Sequence, residues 1–331
     1  MDNMSLMISV LFLFELVGNA GLLLVFLFKK TTSSYDEKLP SSTVFIPYYN
    51  EDPELLVRSL NSINNQIKVE KLQVLVINDG STNDSPKIVD EWLLSTDLNH
   101  DFELINIEKN GGRKGFALDH ALSLDVARGD IYIVVDSDTC IDEMGVFYLA
   151  EKIASDDKYA AVCGYIVPDN SSESILVKSQ YYEHAGVYRA LRSAQDKMGM
   201  VPVLAGAFVA HRADVVKQLG GWSAWLVEDI SWCWKALANN YKTGYASKAT
   251  ARTQCPDDSR SLFRQRRRWA RGRVEAFFET WKVSTQSGFA SLPVFMFTTI
   301  QYFTPPILIT FPLLIIFNMW LPLAIYTATI F

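Results

Sequence analysis

Gly129-Asp130-Ile131-Tyr132-Ile133-Val134-Val135-Asp136-Ser137-Asp138-Thr139 ends an apolar run with two carboxylates. The run reads as a buried strand of a parallel sheet covered on both faces. Asp136 and Asp138 stand two apart, which in a continuing strand points both side chains to one side. In open α/β sheets, ligands collect beyond the carboxyl ends of strands. Hard oxygen donors suit Mg²⁺ or Mn²⁺, and those ions suit a diphosphate. Asp and Ser are also ordinary turn residues, so a plain strand end accounts for the same letters. Asn110-Gly111-Gly112-Arg113-Lys114-Gly115 offers backbone amides and Lys114 to an anion, or else a glycine turn with solvated cations. Glu228 and Asp229 adjoin where an apolar approach becomes a helix, amid tryptophans that could flatten on sugar faces; acids at such a position also serve as caps. Six arginines lie within the ten residues Arg264 to Arg273. Gln265, Arg268 and Trp269 fall on one helical face there, a set able to fork onto diphosphate and stack on a sugar, although a basic flank for lipid headgroups has the same composition.

These residues must be held by elements that the pattern predicts. Thr43–Ile46 reads as a short strand ended by Pro47, Tyr48–Pro53 as a loop, Glu54–Gln66 as a helix and Leu72–Ile77 as a strand closed by Asn78-Asp79-Gly80-Ser81. A βαβ unit of this length makes the strands parallel and sets their loop ends side by side. Ser85–Ser95 is helical, Phe102–Ile107 a strand and Phe116–Arg128 a helix leading into the opening run. Tyr49, Asp79, Lys114 and Asp136 therefore share one rim. Beyond it, Glu143–Ser155 reads as a helix, Ala160–Val167 as a strand, Ile175–Ala194 as a longer helix, Leu204–Ala210 as a strand holding Gly206, Gly220-Gly221-Trp222 as a turn, and a helix runs on to about Asn239.

The 331 residues carry a net charge of −6, spread unevenly. Residues 3 to 28 contain one charge, Glu15, and suffice to cross a hydrocarbon core of roughly 30 Å as a helix. Asp2 precedes them and Lys29 and Lys30 follow, the reverse of a secretory signal, so we expect an uncleaved anchor at 1–30 with its lysine end in the cytoplasm. From Val283 to Phe331 no residue is charged, and Pro305, Pro306, Pro312 and Pro322 interrupt the run. One crossing from Leu292 to Phe317 and a second, short or interfacial stretch after Asn318 are expected in 283–331. Phe331 ends the chain within apolar sequence, which suggests a short form or a fragment. Residues 31 to 42 read as a polar linker, and 31–282 as one cytoplasmic α/β domain. Cys140, Cys163, Cys233 and Cys255 form no CxxC pair and the four histidines show no metal spacing, which argues against structural zinc and agrees with a reducing compartment. The acidic balance gives no support to nucleic-acid binding.

Pro47-Tyr48-Tyr49-Asn50-Glu51, Asn78-Asp79-Gly80-Ser81, Asp136-Ser137-Asp138, Glu228-Asp229 and Gln265-Arg266-Arg267-Arg268-Trp269 follow one another in a familiar order. Over about residues 40 to 275 the chain resembles membrane-bound processive family 2 glycosyltransferases, the synthases of cellulose, chitin, hyaluronan and poly-N-acetylglucosamine. The resemblance implies an α/β fold with a glycosyltransferase-A-like (Rossmann-like) mixed sheet, flanked by transmembrane helices. It implies that Tyr49, Glu51 and Asp79 hold the uridine of a UDP-sugar, that Lys114 helps with the nucleotide, and that Asp136 and Asp138 hold Mg²⁺ or Mn²⁺ with the diphosphate. Asp229 is then the general base, Gln265 and Arg268 lie over the diphosphate, and Glu228 and Trp269 stand at the acceptor end. Tyr48 and Pro256-Asp257-Asp258 depart from common members, and the membrane complement is small. Gln265 to Gly272 looks most like the poly-N-acetylglucosamine and cellulose types, which points to UDP-N-acetylglucosamine. Transfer by inversion to a growing β-linked polysaccharide at the lipid bilayer is the expectation, with room for a membrane partner or a homo-oligomer. Single transfer to a lipid or glycolipid, and a non-catalytic membrane scaffold, are the rival readings.

Overall fold

The computed structural model describes residues 3–29, 38–170, 174–223, 225–300 and 307–330. Lys30, most of the expected linker, Pro305 and Pro306 lie outside them. Helix α1 (Asn3–Phe28) is apolar on every side and mostly uncovered. By length and composition it is the one described helix able to cross a membrane. There follow β1 (Ser42–Tyr48), α2 (Pro53–Asn64), β2 (Gln73–Asp79), α3 (Ser85–Ser95), β3 (Asp101–Ile107), α4 (Lys114–Ser123) and β4 (Ile131–Val135). The chain continues through β5 (Cys140–Ile141), α5 (Gly145–Ala154), β6 (Tyr159–Pro168), α6 (Ile175–Tyr182), a π-helical turn Glu183–Tyr188 and α7 (Arg189–Met198). It closes with β7 (Phe208–Arg212), α8 (Ala213–Gln218), α9 (Glu228–Ala238), β8 (Lys242–Thr253), α10 (Ser259–Val283), α11 (Thr285–Ile300), α12 (Ile307–Ile316) and α13 (Trp320–Ile330).

Among the described residues eight strands form one mixed sheet in the order β3-β2-β1-β4-β7-β6-β8-β5. β3, β2, β1 and β4 are parallel; β7 runs antiparallel to both β4 and β6, β8 is parallel to β6, and β5 is antiparallel to β8. Chain direction reverses its march across the sheet between β1 and β4, and the loops beyond such a switch part to leave a crevice. The strand period of two sorts the core. Phe45, Leu75, Ile77, Tyr132 and Val134 face α4, α8, α9 and α10, while Val44, Ile46, Val74, Val76, Ile133 and Val135 face α2, α3 and α5. Burial on both faces explains why these strands read as unbroken apolar runs.

Several boundaries differ from the sequence reading, each for a local reason. β1 runs through Pro47 to Tyr48 because its pairing with β4 ends at Phe45, so beyond that point proline sits as on an edge strand. α4 stops at Ser123, before Asp125 with φ 53, instead of reaching Arg128. β7 begins at Phe208 and leaves Gly206 in the preceding turn, where its N–H and C=O bond to side chains rather than to a ladder. The helix expected at 175–194 carries the π-helical turn at its centre. Of the crossing expected from Leu292 to Phe317, residues 301–306 lie outside the described residues; the parts on either side are helical, in α11 with Pro293 and in α12 with Pro312. α13 occupies the short stretch expected after Asn318.

Candidate active site

Two loops of the parallel half are stapled together at the rim. Asn50, in a left-handed conformation with φ 49, accepts from the N–H groups of Thr82 at 2.7 Å and Asn83 at 3.2 Å. Glu51 accepts from the Ser137 hydroxyl at 2.6 Å, which joins the β1 loop to the turn after β4. Asp52 caps α2 by accepting from Glu54 and Leu55 amides, with Pro53 at the first helical position. Asp79, at the buried end of β2, accepts from Asn110 Nδ2 at 3.0 Å and the Gly111 amide at 3.1 Å, and burial raises its pKa against the pull of that amide. It therefore shapes the glycine loop that precedes α4. Tyr49 is about half exposed on the same rim.

Lys114 opens α4 and reaches into the centre. Its ammonium pairs with Asp136, donates to the Gly206 carbonyl at 2.9 Å and lies 3.4 Å from Glu228. Burial alone would lower its pKa, but Asp136, Glu228 and Asp229 outweigh that and hold it charged. On the other side of Asp136, the Asp138 carboxylate accepts from Thr139 and Thr253 hydroxyls at 3.2 and 3.1 Å. Burial first, then repulsion from Asp136 and Glu51, pushes Asp138 up to about 6. This excess of buried negative charge is what a divalent cation relieves, and Mg²⁺ typically takes one or two carboxylates with the remaining positions left to phosphate and water. The donor set fits Mg²⁺ or Mn²⁺ shared with a diphosphate. Among the described residues no three Asp, Glu, His or Cys side chains converge as a closed cage.

Asp229 sits at the first turn of α9. Its carboxylate accepts from the Gly206 amide and from its own helix at Ile230, both at 2.8 Å. Burial and the adjacent Glu228 raise its pKa to about 7, partly offset by Lys114 and the two amides. Gly206 is required by close approach: a Cβ there would stand 2.7 Å from Asp229 Oδ2. A cavity of about 680 Å³ brings Lys114, Asp136, Asp138, Glu228, Asp229, Gln265, Arg268 and Trp269 together. Tyr49, Glu51 and Asp79 are not in its lining and stand on the adjoining rim, linked to it through Ser137 and the glycine loop. Sequence reasoning missed Thr253, which ends the unforeseen strand β8, and Asp119 in α4, which accepts from the amides of Trp222 and Ser223 at 2.7 and 2.8 Å ahead of α9. Neither carries a local signal. It also missed that Glu15 and Asn19 of α1 line the cavity; the lone charge of that apolar helix was the available clue.

The sequence model described as "Glycosyl transferase family group 2" matches residues 131–330. Among named relatives, a poly-beta-1,6-N-acetyl-D-glucosamine synthase of Staphylococcus epidermidis is 29% identical over 272 residues, 82% of this chain and 64% of that protein. One of Staphylococcus aureus (strain COL) is 30% identical over 259 residues, 77% of this chain and 60% of that protein. The chain thus spans less than two thirds of these relatives' length. Among solved structures, a mannosyltransferase from Pyrobaculum calidifontis in complex with GDP-Man and Mn²⁺ shares the fold with a TM-score of 0.65 at 20% identity, over 97% of each chain. Residues 1–349 of S. aureus TarS give 0.55 at 16% identity, over 87% of this chain and 80% of that one. With the match over residues 131–330, taken with an α/β mixed sheet of the glycosyltransferase-A kind, this chain belongs to glycosyl transferase family group 2.

Proposed function

We propose that the chain transfers N-acetylglucosamine from its UDP-sugar, with inversion, to a growing β-linked glycan at the cytoplasmic face of a membrane. The carrying observation is that Asp229, the best-placed base, lines the same cavity as Lys114, Asp136 and Asp138. The names of the staphylococcal relatives support the donor and product. Residues 1–30 are then an anchor, 31–282 the catalytic domain and 283–331 a membrane-associated end, with helix α10 ending at Val283.

In this reading Tyr49, Glu51 and Asp79 hold the nucleoside at the rim, and Glu228 and Trp269 hold the acceptor. Asp229 takes the proton of the acceptor hydroxyl as that oxygen attacks the anomeric carbon from the face opposite UDP. The bond from that carbon to the diphosphate breaks, and its electron pair leaves with UDP. Lys114, held charged by its carboxylate neighbours, and Arg268 with Gln265 face the charge that builds there, an arrangement that needs little reorganisation during reaction. Mg²⁺ or Mn²⁺ held by Asp136 and Asp138 would supply further neutralisation of the diphosphate. Membranes carrying the chain, incubated with a panel of labelled UDP-sugars, should incorporate label from UDP-N-acetylglucosamine into a product that runs as a ladder or smear on a gel. A single-sugar lipid product would replace the lengthening activity with a non-processive one, and no incorporation from any donor would remove the proposal.

A further inference from the structure

Three arginines separate Gln265 from Trp269, and the site described above uses one of them, Arg268. Arg266 turns the other way and is only partly exposed. Its two terminal nitrogens fork onto Glu183, Nη1 to Oε1 at 3.1 Å and Nη2 to Oε2 at 2.6 Å. Nη1 also donates to the Tyr188 hydroxyl at 2.7 Å, and that hydroxyl donates to Glu183 Oε1 at 2.6 Å. The guanidinium carbon then lies 4.5 Å from the centre of the Trp269 ring, one helical turn along α10. A cation over an indole at this distance is attracted to its face, and the fork onto a carboxylate fixes the plane of the guanidinium.

The π-helical turn explains how Glu183 and Tyr188 can act together. At 3.6 residues per turn, side chains five apart on an α-helix point roughly 140° away from each other. The wider π turn, which begins at Glu183 and ends at Tyr188, brings positions five apart to nearly the same side, as the 2.6 Å bond between them requires. π-helical turns inside longer helices recur at functional sites. His184 and Tyr188 of this turn, and Trp269 opposite, line the cavity. The device thus joins two segments 83 residues apart in the chain at the wall next to Trp269.

We infer that Glu183 is a positioning residue: by clamping Arg266 it sets the plane of Trp269 and so the fit of the sugar ring at the acceptor end of the cavity. This rests on the acceptor role proposed for Trp269. It gives Arg266 a task distinct from that of Arg268, and it gives the π turn a reason to exist.

The test compares wild type, Glu183→Gln, Arg266→Lys and the exchanged pair Glu183→Arg with Arg266→Glu, in membranes supplied with UDP-N-acetylglucosamine and a β-linked N-acetylglucosamine oligomer as acceptor. Glu183→Gln and Arg266→Lys should each raise the acceptor KM by about tenfold, the worth of one charged fork or cation–π contact, with donor KM moved by less than about twofold. The exchanged pair restores the ion pair but leaves a carboxylate over the indole. It should therefore recover the thermal midpoint lost in the single variants while the acceptor KM stays raised. Recovery of both by the exchange would reduce the pair to a structural tie and overturn the inference. So would an unchanged acceptor KM in Glu183→Gln, a variant that keeps the shape of the side chain and decides the matter even if the exchanged pair does not fold. Wild-type protein that forms no product from UDP-N-acetylglucosamine in this assay would instead sink the donor and acceptor reading on which the inference stands.

Discussion

At the level of single residues, the central fact is a carboxylate that holds its proton more tightly than its kind usually does. Asp229 is raised to about 7 by burial and by Glu228, and in its proposed role as base it must be deprotonated to work. Raising the pKa of an acid extends its protonated, inactive form upward in pH. Hence kcat/KM should fall about tenfold per pH unit below that value and level off above it, as read from initial rates across pH 5 to 9. Asp229→Asn removes the proposed base and keeps one of its two amide contacts, because Gly206 and Ile230 donate to different oxygens of the carboxylate and the amide side chain has a single acceptor oxygen. We expect kcat to drop by about 10²–10⁴ with UDP affinity, measured by calorimetry, nearly unchanged. Gly206→Ala drives a methyl group into the Asp229 carboxylate and strains the 2.8 Å bond that orients it. Loss of one hydrogen bond to a charged group corresponds to a fall in kcat of roughly 10- to 100-fold. A Gly206→Ala enzyme with wild-type kcat would show that the amide does not position the base.

Among elements, the decisive relation is between α4, which delivers Lys114, and α9, which delivers Asp229. Asp119 lies one turn and more along α4 from Lys114 and accepts two amides from the loop ahead of α9. Gly115 lets the same helix press against that loop, since any Cβ there would overlap the Ser223 carbonyl. Asp119→Ala leaves those two amides without their acceptor, so unfolding stability should drop by about 1–3 kcal/mol in a urea titration. The parallel half of the sheet is legible in the letters because Val44, Ile46, Val74, Val76, Ile131 and Ile133 are all buried and flanked by turn residues. β8 is not, because Lys242–Thr253 is mostly Lys, Thr and Ala with Tyr245 as its one large apolar side chain, and its place is set by partners β6 and β5 far away in sequence. The candidate acids are legible for the same reason that turns are: they stand just past strand ends or at a helix start. Their partners Gly206, Thr253 and Asp119 become visible only when non-local pairing brings them in. The π turn is hidden too: Gly186 is the one irregular letter in Glu183–Tyr188, and a single glycine is tolerated inside a helical pattern.

For the whole molecule, the joining of an acidic cavity to an apolar exterior sets the tests. Asp136 and Asp138 carry crowded negative charge, so EDTA should stop transfer and added Mg²⁺ or Mn²⁺ should restore it, whereas Asp138→Asn should need a higher metal concentration for half-maximal rate. Full activity in EDTA would remove the metal from the scheme. Helix α1 does more than present a greasy surface. Gly18 packs so closely on Phe297 that a Cβ would meet the ring at 2.4 Å, Lys197 of α7 donates to the Phe26 carbonyl at 2.6 Å, and Glu15 and Asn19 form part of the cavity wall. With α1 as the proposed anchor, grafting a foreign hydrophobic segment of equal length in its place should target the hybrid to bilayers, yet leave a breach in the chamber where Glu15 and Asn19 belong. On the proposed anchor role, tether and vessel are the same piece of chain, and protein engineers who treat the first 28 residues as an exchangeable leash should find the protein present, correctly sited and leaking.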